Sequence, residues 1–278
     1  MEMSTRIALI GGGNMATSLI GGLIAAGTKP ASIIVAEPDT DRCTQLSRQF
    51  DVATTKDNLA TLLHDVVVLS VKPQLMQTVC RQLASSTYAL NPLYVSIAAG
   101  IRSADIARWL GDDAAVVRCM PNTPALIQCG ASALYANKTV TEVQKQLADE
   151  ILNAVGITTW VEDEDLLDVV TALSGSGPAY FFLLMEAMQK AAVRLGLDKE
   201  TAARLTLQTA LGAARMADES ELDVEQLRAR VTSKGGTTAA AIACFEHDDF
   251  HSNVSRALQA AYNRSRELAD ELGKDLST

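Results

Sequence analysis

Aromatic residues are scarce in this chain of 278 residues, at 4% against 48% for hydrophobic residues as a whole. So few rings imply an aliphatic, alanine-rich core in which small side chains let helices approach closely. Basic residues are in the minority: 24 Lys and Arg face 33 Asp and Glu, a formal net charge of −9. No basic stripe offsets that charge, so nucleic acid is not expected as a partner. No apolar run reaches the roughly 18 residues of a membrane span, and no membrane partner is expected. The opening MEMSTRIALIGGG carries an acid early and glycines in its apolar run, unlike a secretory leader. Cys43, Cys80, Cys119, Cys129 and Cys244 form no C-x-x-C pair. That pattern points to reduced thiols and a cytoplasmic setting. Only three histidines occur. His247 and His251 would share one face of a helix, but no third ligand accompanies them and no metal is expected.

What is present begins with an alternation of strands and glycine turns. Residues 6–10, RIALI, read as a buried strand, GGGNMA follows at once, and SLIGGLIAAG reads as a helix ended by Gly27. In this G-x-G-x-x-A frame Gly11 permits a tight turn and Gly13 leaves room for a pyrophosphate. Ala16 allows close helix–strand packing. The phosphates of a dinucleotide would rest on free amides at the helix N-terminus. IIVAE (33–37) is a second strand, a helix follows over 40–50, and residues 66–70, 94–98 and 115–119 look like further strands of a parallel sheet. Their ends, SVKPQ (70–74), AAGI (98–101) and MPNTP (120–124), are candidate walls of a cofactor site. Glu37 falls about 20 residues after the glycine turn, where an acid accepts from an adenine ribose hydroxyl, which favours NAD. Arg42 is near enough to meet the 2′-phosphate of NADP, so both cofactors stay open.

ITTWVE (157–162) reads as the last strand, after which the pattern is helical. The expected division is therefore 1–162, an α/β nucleotide domain, and 163–278, an all-α domain. DLLDVVTALSG reads as a helix stopped at Gly175, and Pro178 suits the first turn of the next. Gly196 closes that helix and Asp198 caps a third, whose small residues Ala202, Thr206, Thr209, Ala213 and Ala217 suit close helix packing, with a dimer as the expected assembly. In SKGGTT (233–238), Thr232 or Ser233 could cap the following helix while the glycines open the backbone into a nest for a carboxylate. No histidine stands in a motif where it could protonate an alkoxide. Reduction of an imine escapes that requirement, because the nitrogen can arrive protonated and needs only orientation.

GGGNMA, SVKPQ, SIAAGI, RCMPNTP, LSGSGPAY and VTSKGGTTAAAI, in that order, make the chain resemble the pyrroline-5-carboxylate reductases over roughly residues 5–270. The resemblance implies a Rossmann-type α/β N-terminal domain binding NAD(P)H and an all-α C-terminal domain forming an interlocked dimer, which in this family can build decamers. It implies hydride transfer to C5 of 1-pyrroline-5-carboxylate, a small imino acid, giving L-proline in the last step of its biosynthesis. Gly11, Gly12, Gly13, Asn14, Met15 and Ala16 would hold the pyrophosphate. Ser70, Val71, Lys72, Pro73, Ala98, Ala99 and Gly100 would line the nucleotide, with Met120, Asn122 and Pro124 bordering nicotinamide and substrate. Ser233, Lys234, Gly235, Gly236 and Thr237 would take the substrate carboxylate, and Thr238 the ring nitrogen as the catalytic contact. Glu164 falls where the family can place an acid near the substrate. Lys234 departs from the proline common at its position. A β-hydroxyacid dehydrogenase would instead need a catalytic lysine with an asparagine one turn on, and Lys190 is followed by Arg194. A dinucleotide-binding sensor would share the cradle without turnover.

Overall fold

Aliphatic strands buried on both sides account for the central sheet. In β1 (Ile7–Ile10), Ile7 and Leu9 join the core on one face while Ala8 and Ile10 join the core on the other. The computed structural model describes residues 5–86 and 91–274. The first four residues, on which the leader reading partly rests, lie outside them. β2 (Ile33–Ala36), β3 (Ala53–Thr55), β4 (Val66–Leu69), β5 (Leu93–Ser96), β6 (Val116–Met120), β7 (Gly130–Ala136) and β8 (Gly156–Trp160) complete one sheet in the order β3-β2-β1-β4-β5-β6-β7-β8. Helices α1 (Asn14–Ala25) and α5 (Glu142–Asn153) cover the first face. Helices α3 (Pro73–Ala84) and α4 (Ser103–Leu110) cover the second. The strand order reverses at β1, with β2 on one side and β4 on the other, so the turn after β1 sits at the switch point where such sheets bind ligands.

One pair departs from the expected parallel pattern: β7 runs antiparallel to β6, with Cys119 opposite Leu134. The link between them is a 3-10 turn, Thr123–Ile127. A parallel return needs a crossover of about a dozen residues or more, which residues 121–129 do not supply.

By internal contacts the chain forms two compact units, Met1–Ser176 with Ala261–Thr278, and Gly177–Ala260. The division drawn from sequence at 162/163 differs from this one. Residues just past β8 and the end of the last helix, α11 (Phe250–Leu272), contribute to the first unit, where Ser265 Oγ donates to Asp168 Oδ1 at 2.6 Å in a buried pair. The helix expected to stop at Gly175 does not stop there. α6 (Leu166–Val170) runs into a π turn, Thr171–Gly175, and α7 (Gly177–Arg194) begins after Ser176. The segment Leu166–Arg194, whose 18-residue apolar window has mean hydropathy 1.3, is thus long and apolar enough to cross a membrane by length and composition. That corrects the sequence reading, in which the GSGP punctuation hid the continuity. Core helices of soluble proteins pass the same test.

The second unit holds α7, α8 (Lys199–Asp218), α9 (Val224–Arg230), α10 (Thr237–His247) and the first part of α11. Asp198 caps α8 as expected, its Oδ1 accepting from Thr201 N at 2.9 Å. Asp249, at φ 56°, breaks the chain between α10 and α11, so His247 and His251 do not share one helix. Within this unit only Gly177, Ala202 and Thr206 are buried, while Phe181, Phe182 and Leu207 are more than 60% exposed. A single copy of these helices has almost no core of its own.

Candidate active site

The turn after β1 is built by close approach. Gly11 has φ +94°, and a Cβ there would lie 2.7 Å from the carbonyl oxygen of Ser70. Ser70 binds the turn to β4: its Oγ lies 2.6 Å from Gly11 O and 2.8 Å from Ile10 O, one hydroxyl donor shared by two carbonyls. Gly13, exposed, has open space around it and is the N-cap of α1 with no side-chain cap. Among the described residues the amides of Asn14, Met15 and Ala16 find no acceptor. A helix start that is glycine-capped, uncapped by side chains and open to solvent has the form that suits a phosphate. Pyrophosphate therefore fits the residues present.

Glu37 lies at one end of this turn. Gly12 N donates to Glu37 Oε2 at 2.7 Å and Asp39 N to Oε1 at 3.0 Å. Arg42 is turned onto the turn itself, donating to Gly12 O, Thr17 Oγ1 and Gln45 Oε1.

The other strand ends are the remaining candidate walls. Pro73 lies in the first turn of α3, whose N-cap Lys72 makes no side-chain cap bond. Ala98 and Gly100 are buried and Ala99 exposed, and Gly100 (φ +74°) packs against Leu268 and Leu272 of α11. Asn122 is nearly buried and structural: Nδ2 donates to Ser174 O at 3.0 Å and Oδ1 accepts from Ala131 N at 2.9 Å. Met120 reaches Gly175, where a Cβ would lie 2.4 Å from its Cε, and Pro124 opens the 3-10 turn.

Glu164 makes three bonds within the first unit. It accepts from Ser103 N at 2.6 Å and Ser103 Oγ at 2.7 Å, which places a carboxylate at the start of α4. Arg118 Nη1 donates to it at 2.8 Å, with the two side chains 8% and 17% exposed. Arg118 and Ser103 were not read from the sequence as partners. The signal was there, since an arginine inside the apolar run AVVRC needs a buried counter-charge. Burial pushes the Cys80 thiol up to about 12 and raises Cys119 as well, so neither is a nucleophile at neutral pH.

In the second unit, the SKGGTT stretch leads into α10, and Gly236 is its N-cap. Neither Thr232 nor Ser233 caps it; Thr232 Oγ1 donates back to Arg228 O at 2.6 Å. Gly235 has φ +75°, a conformation that favours glycine, and a Cβ on Gly236 would lie 2.6 Å from Ser233 Oγ, so the serine side chain would have to turn away. Among the described residues the amides of Thr237, Thr238 and Ala239 find no acceptor, and neither threonine hydroxyl has a partner. Lys234 is exposed.

A family model for pyrroline-5-carboxylate reductase dimerisation matches residues 164–268, and one for NADP oxidoreductases, coenzyme F420-dependent, matches residues 6–100. The pyrroline-5-carboxylate reductase of Pseudomonas aeruginosa is 54% identical over 276 residues, covering 98% of this chain and all of that one. The chain belongs to the pyrroline-5-carboxylate reductase family. The Haemophilus influenzae reductase is 44% identical, covering 94% of this chain and 97% of its own. The Coxiella burnetii reductase structure superposes with a TM-score of 0.92 at 47% identity, covering 96% of this chain and 99% of that one. A Plasmodium falciparum pyrroline carboxylate reductase, solved with NADP bound, gives 0.83 at 29% identity, covering 95% and 98%. The protein is an NAD(P)H-dependent oxidoreductase of the C=N bond, with a Rossmann-type sheet and a helical second domain.

For this reductase the β1 turn allows a direct check. Gly11→Ala forces a methyl group onto the Ser70 carbonyl. Dinucleotide affinity is expected to fall by roughly tenfold, because the turn must open to relieve the clash. Titration of NADH or NADPH by quenching of protein fluorescence measures it.

Proposed function

We propose that the Gly11–Ala16 turn receives the dinucleotide phosphates and the Ser233–Thr238 turn receives the carboxylate of 1-pyrroline-5-carboxylate. The observation that carries this reading is the head of α10, where three amides and two hydroxyls lack partners among the described residues. Such a helix start holds an anion through its amides, and the Thr238 hydroxyl is left to orient the ring nitrogen. The bound cofactor, in its reduced form, supplies the hydride to C5. The imine nitrogen enters protonated, so no side chain need deliver a proton, and the protein contributes position and electrostatics. Glu164 acts through Arg118 and Ser103, holding the start of α4. The product is L-proline, which makes this the closing step of its biosynthesis.

The exposed apolar helices of Gly177–Ala260 support a homodimer, the smallest assembly that supplies a core, and a larger ring of dimers is compatible with it. The five free thiols support a cytoplasmic setting. The functional division retains 1–162 for the dinucleotide and 163–278 for substrate and dimerisation.

The test is loss of reduced-nicotinamide absorbance with pyrroline-5-carboxylate and each cofactor. Turnover of ketoacids and none of the imine would refute the reading. Lys190 lies on the exposed face of α7 and pairs with Glu186. Lys190→Ala should therefore change kcat/KM by no more than about twofold, as surface substitutions do. A dehydrogenase relying on that lysine would lose its activity.

A further inference from the structure

We propose that Glu37 and the acidic loop that follows β2 select NADH over NADPH in this chain. The inference rests on the dinucleotide reading of the Gly11–Ala16 turn. Glu37 ends β2, and Gly12 N donates to its Oε2 at 2.7 Å, so the carboxylate is fixed beside the glycine turn and not free to swing away. Asp39 N holds Oε1 at 3.0 Å. A carboxylate offers about four lone-pair positions, so two remain to accept from the 2′- and 3′-hydroxyls of an adenine ribose.

A 2′-phosphate at the same place would need donors, and the loop has already engaged the amides of Asp39, Asp41 and Arg42. The N-terminus of α2 (Thr40–Phe50) is capped internally, Asp39 Oδ1 accepting from Asp41 N at 2.8 Å and Arg42 N at 3.0 Å. Two cations lie near. Arg42 directs its guanidinium at Gly12 O, Thr17 Oγ1 and Gln45 Oε1, and Lys56 donates to Thr40 Oγ1 at 2.7 Å. Glu37, Asp39 and Asp41 put three carboxylates within five residues, EPDTD. A dianionic phosphate would meet that field with both of these cations already engaged. The Plasmodium falciparum relative was solved with NADP; the acids of this loop favour the unphosphorylated dinucleotide here.

The experiment is equilibrium binding of NADH and of NADPH to the intact protein, followed by nicotinamide fluorescence, with kcat/KM for each cofactor alongside. The wild type is expected to bind NADH at least about tenfold more tightly. Glu37→Ser should narrow or invert that ratio, mainly by tightening NADPH, and Glu37→Gln should do so partially because it keeps the bond from Gly12. Unfolding curves of both variants check that the loop change has not lost the fold. Equal or tighter NADPH binding by the wild type overturns the proposal, as does a ratio that neither substitution moves. Failure of the reductase reading shows separately, as tight NADH binding without turnover of the cyclic imine.

Discussion

Thr238→Ala is expected to lower kcat/KM for the cyclic imino acid roughly a hundredfold, the size usual for losing one preorganised donor. That corresponds to about 2.7 kcal/mol of transition-state stabilisation. The hydroxyl is the group at stake, because it has no partner among the described residues. The substitution leaves the backbone amides of the α10 start in place, so a carboxylate can still dock. It does not threaten the helix, since alanine is the better helix former and the N-cap is Gly236. Dinucleotide affinity should stay within about twofold, and Thr238→Ser should restore most of the rate. Steady-state kinetics on the imine together with nucleotide titration decide the matter. Unchanged kinetics would remove Thr238 from the reaction.

Arg118→Met is expected to cost about 3 kcal/mol of unfolding free energy, since it strands a carboxylate that is largely shielded from water. Glu164 would keep Ser103 N and Oγ but lose its only counter-ion among the described residues. Against the usual 5–15 kcal/mol of a folded domain that is a large fraction. Both tryptophans lie in the same compact unit, Trp109 on α4 and Trp160 on β8, so fluorescence during denaturant unfolding reports on it directly. Adding Glu164→Leu should recover part of the loss, making the pair sub-additive. Full additivity would show that the two groups do not depend on each other.

The sheet was readable because its strands are aliphatic runs followed by small or polar turns. RIALI, IIVAE and the valines from Val66 onward fall on β1, β2 and β4. β7 was not, because GASALYA is mostly small residues and lacks the aliphatic run that marked the other strands. The π turn was hidden too: Gly175 has the composition of a stop, and only the packed structure shows the chain staying helical there. For the candidate site, spacing sufficed for Gly11 and Gly13, whose roles follow from local backbone geometry. It did not suffice for Glu164, whose partners at 103 and 118 come from other elements. Nor did composition identify the α10 cap: Ser233 has the right chemistry, but Gly236 occupies the capping position.

The end of α11 has a practical bearing on how this protein can be dissected. Ala269 is 1% exposed, and Arg102 of the first unit pairs with Asp270 at 2.7 Å. A gene cut just after β8 would encode all eight strands yet omit a lining piece contributed from more than a hundred residues downstream. The nucleotide half is therefore not excisable as one contiguous stretch. An engineer wanting it alone would have to splice the final segment back through a linker in place of the intervening helices.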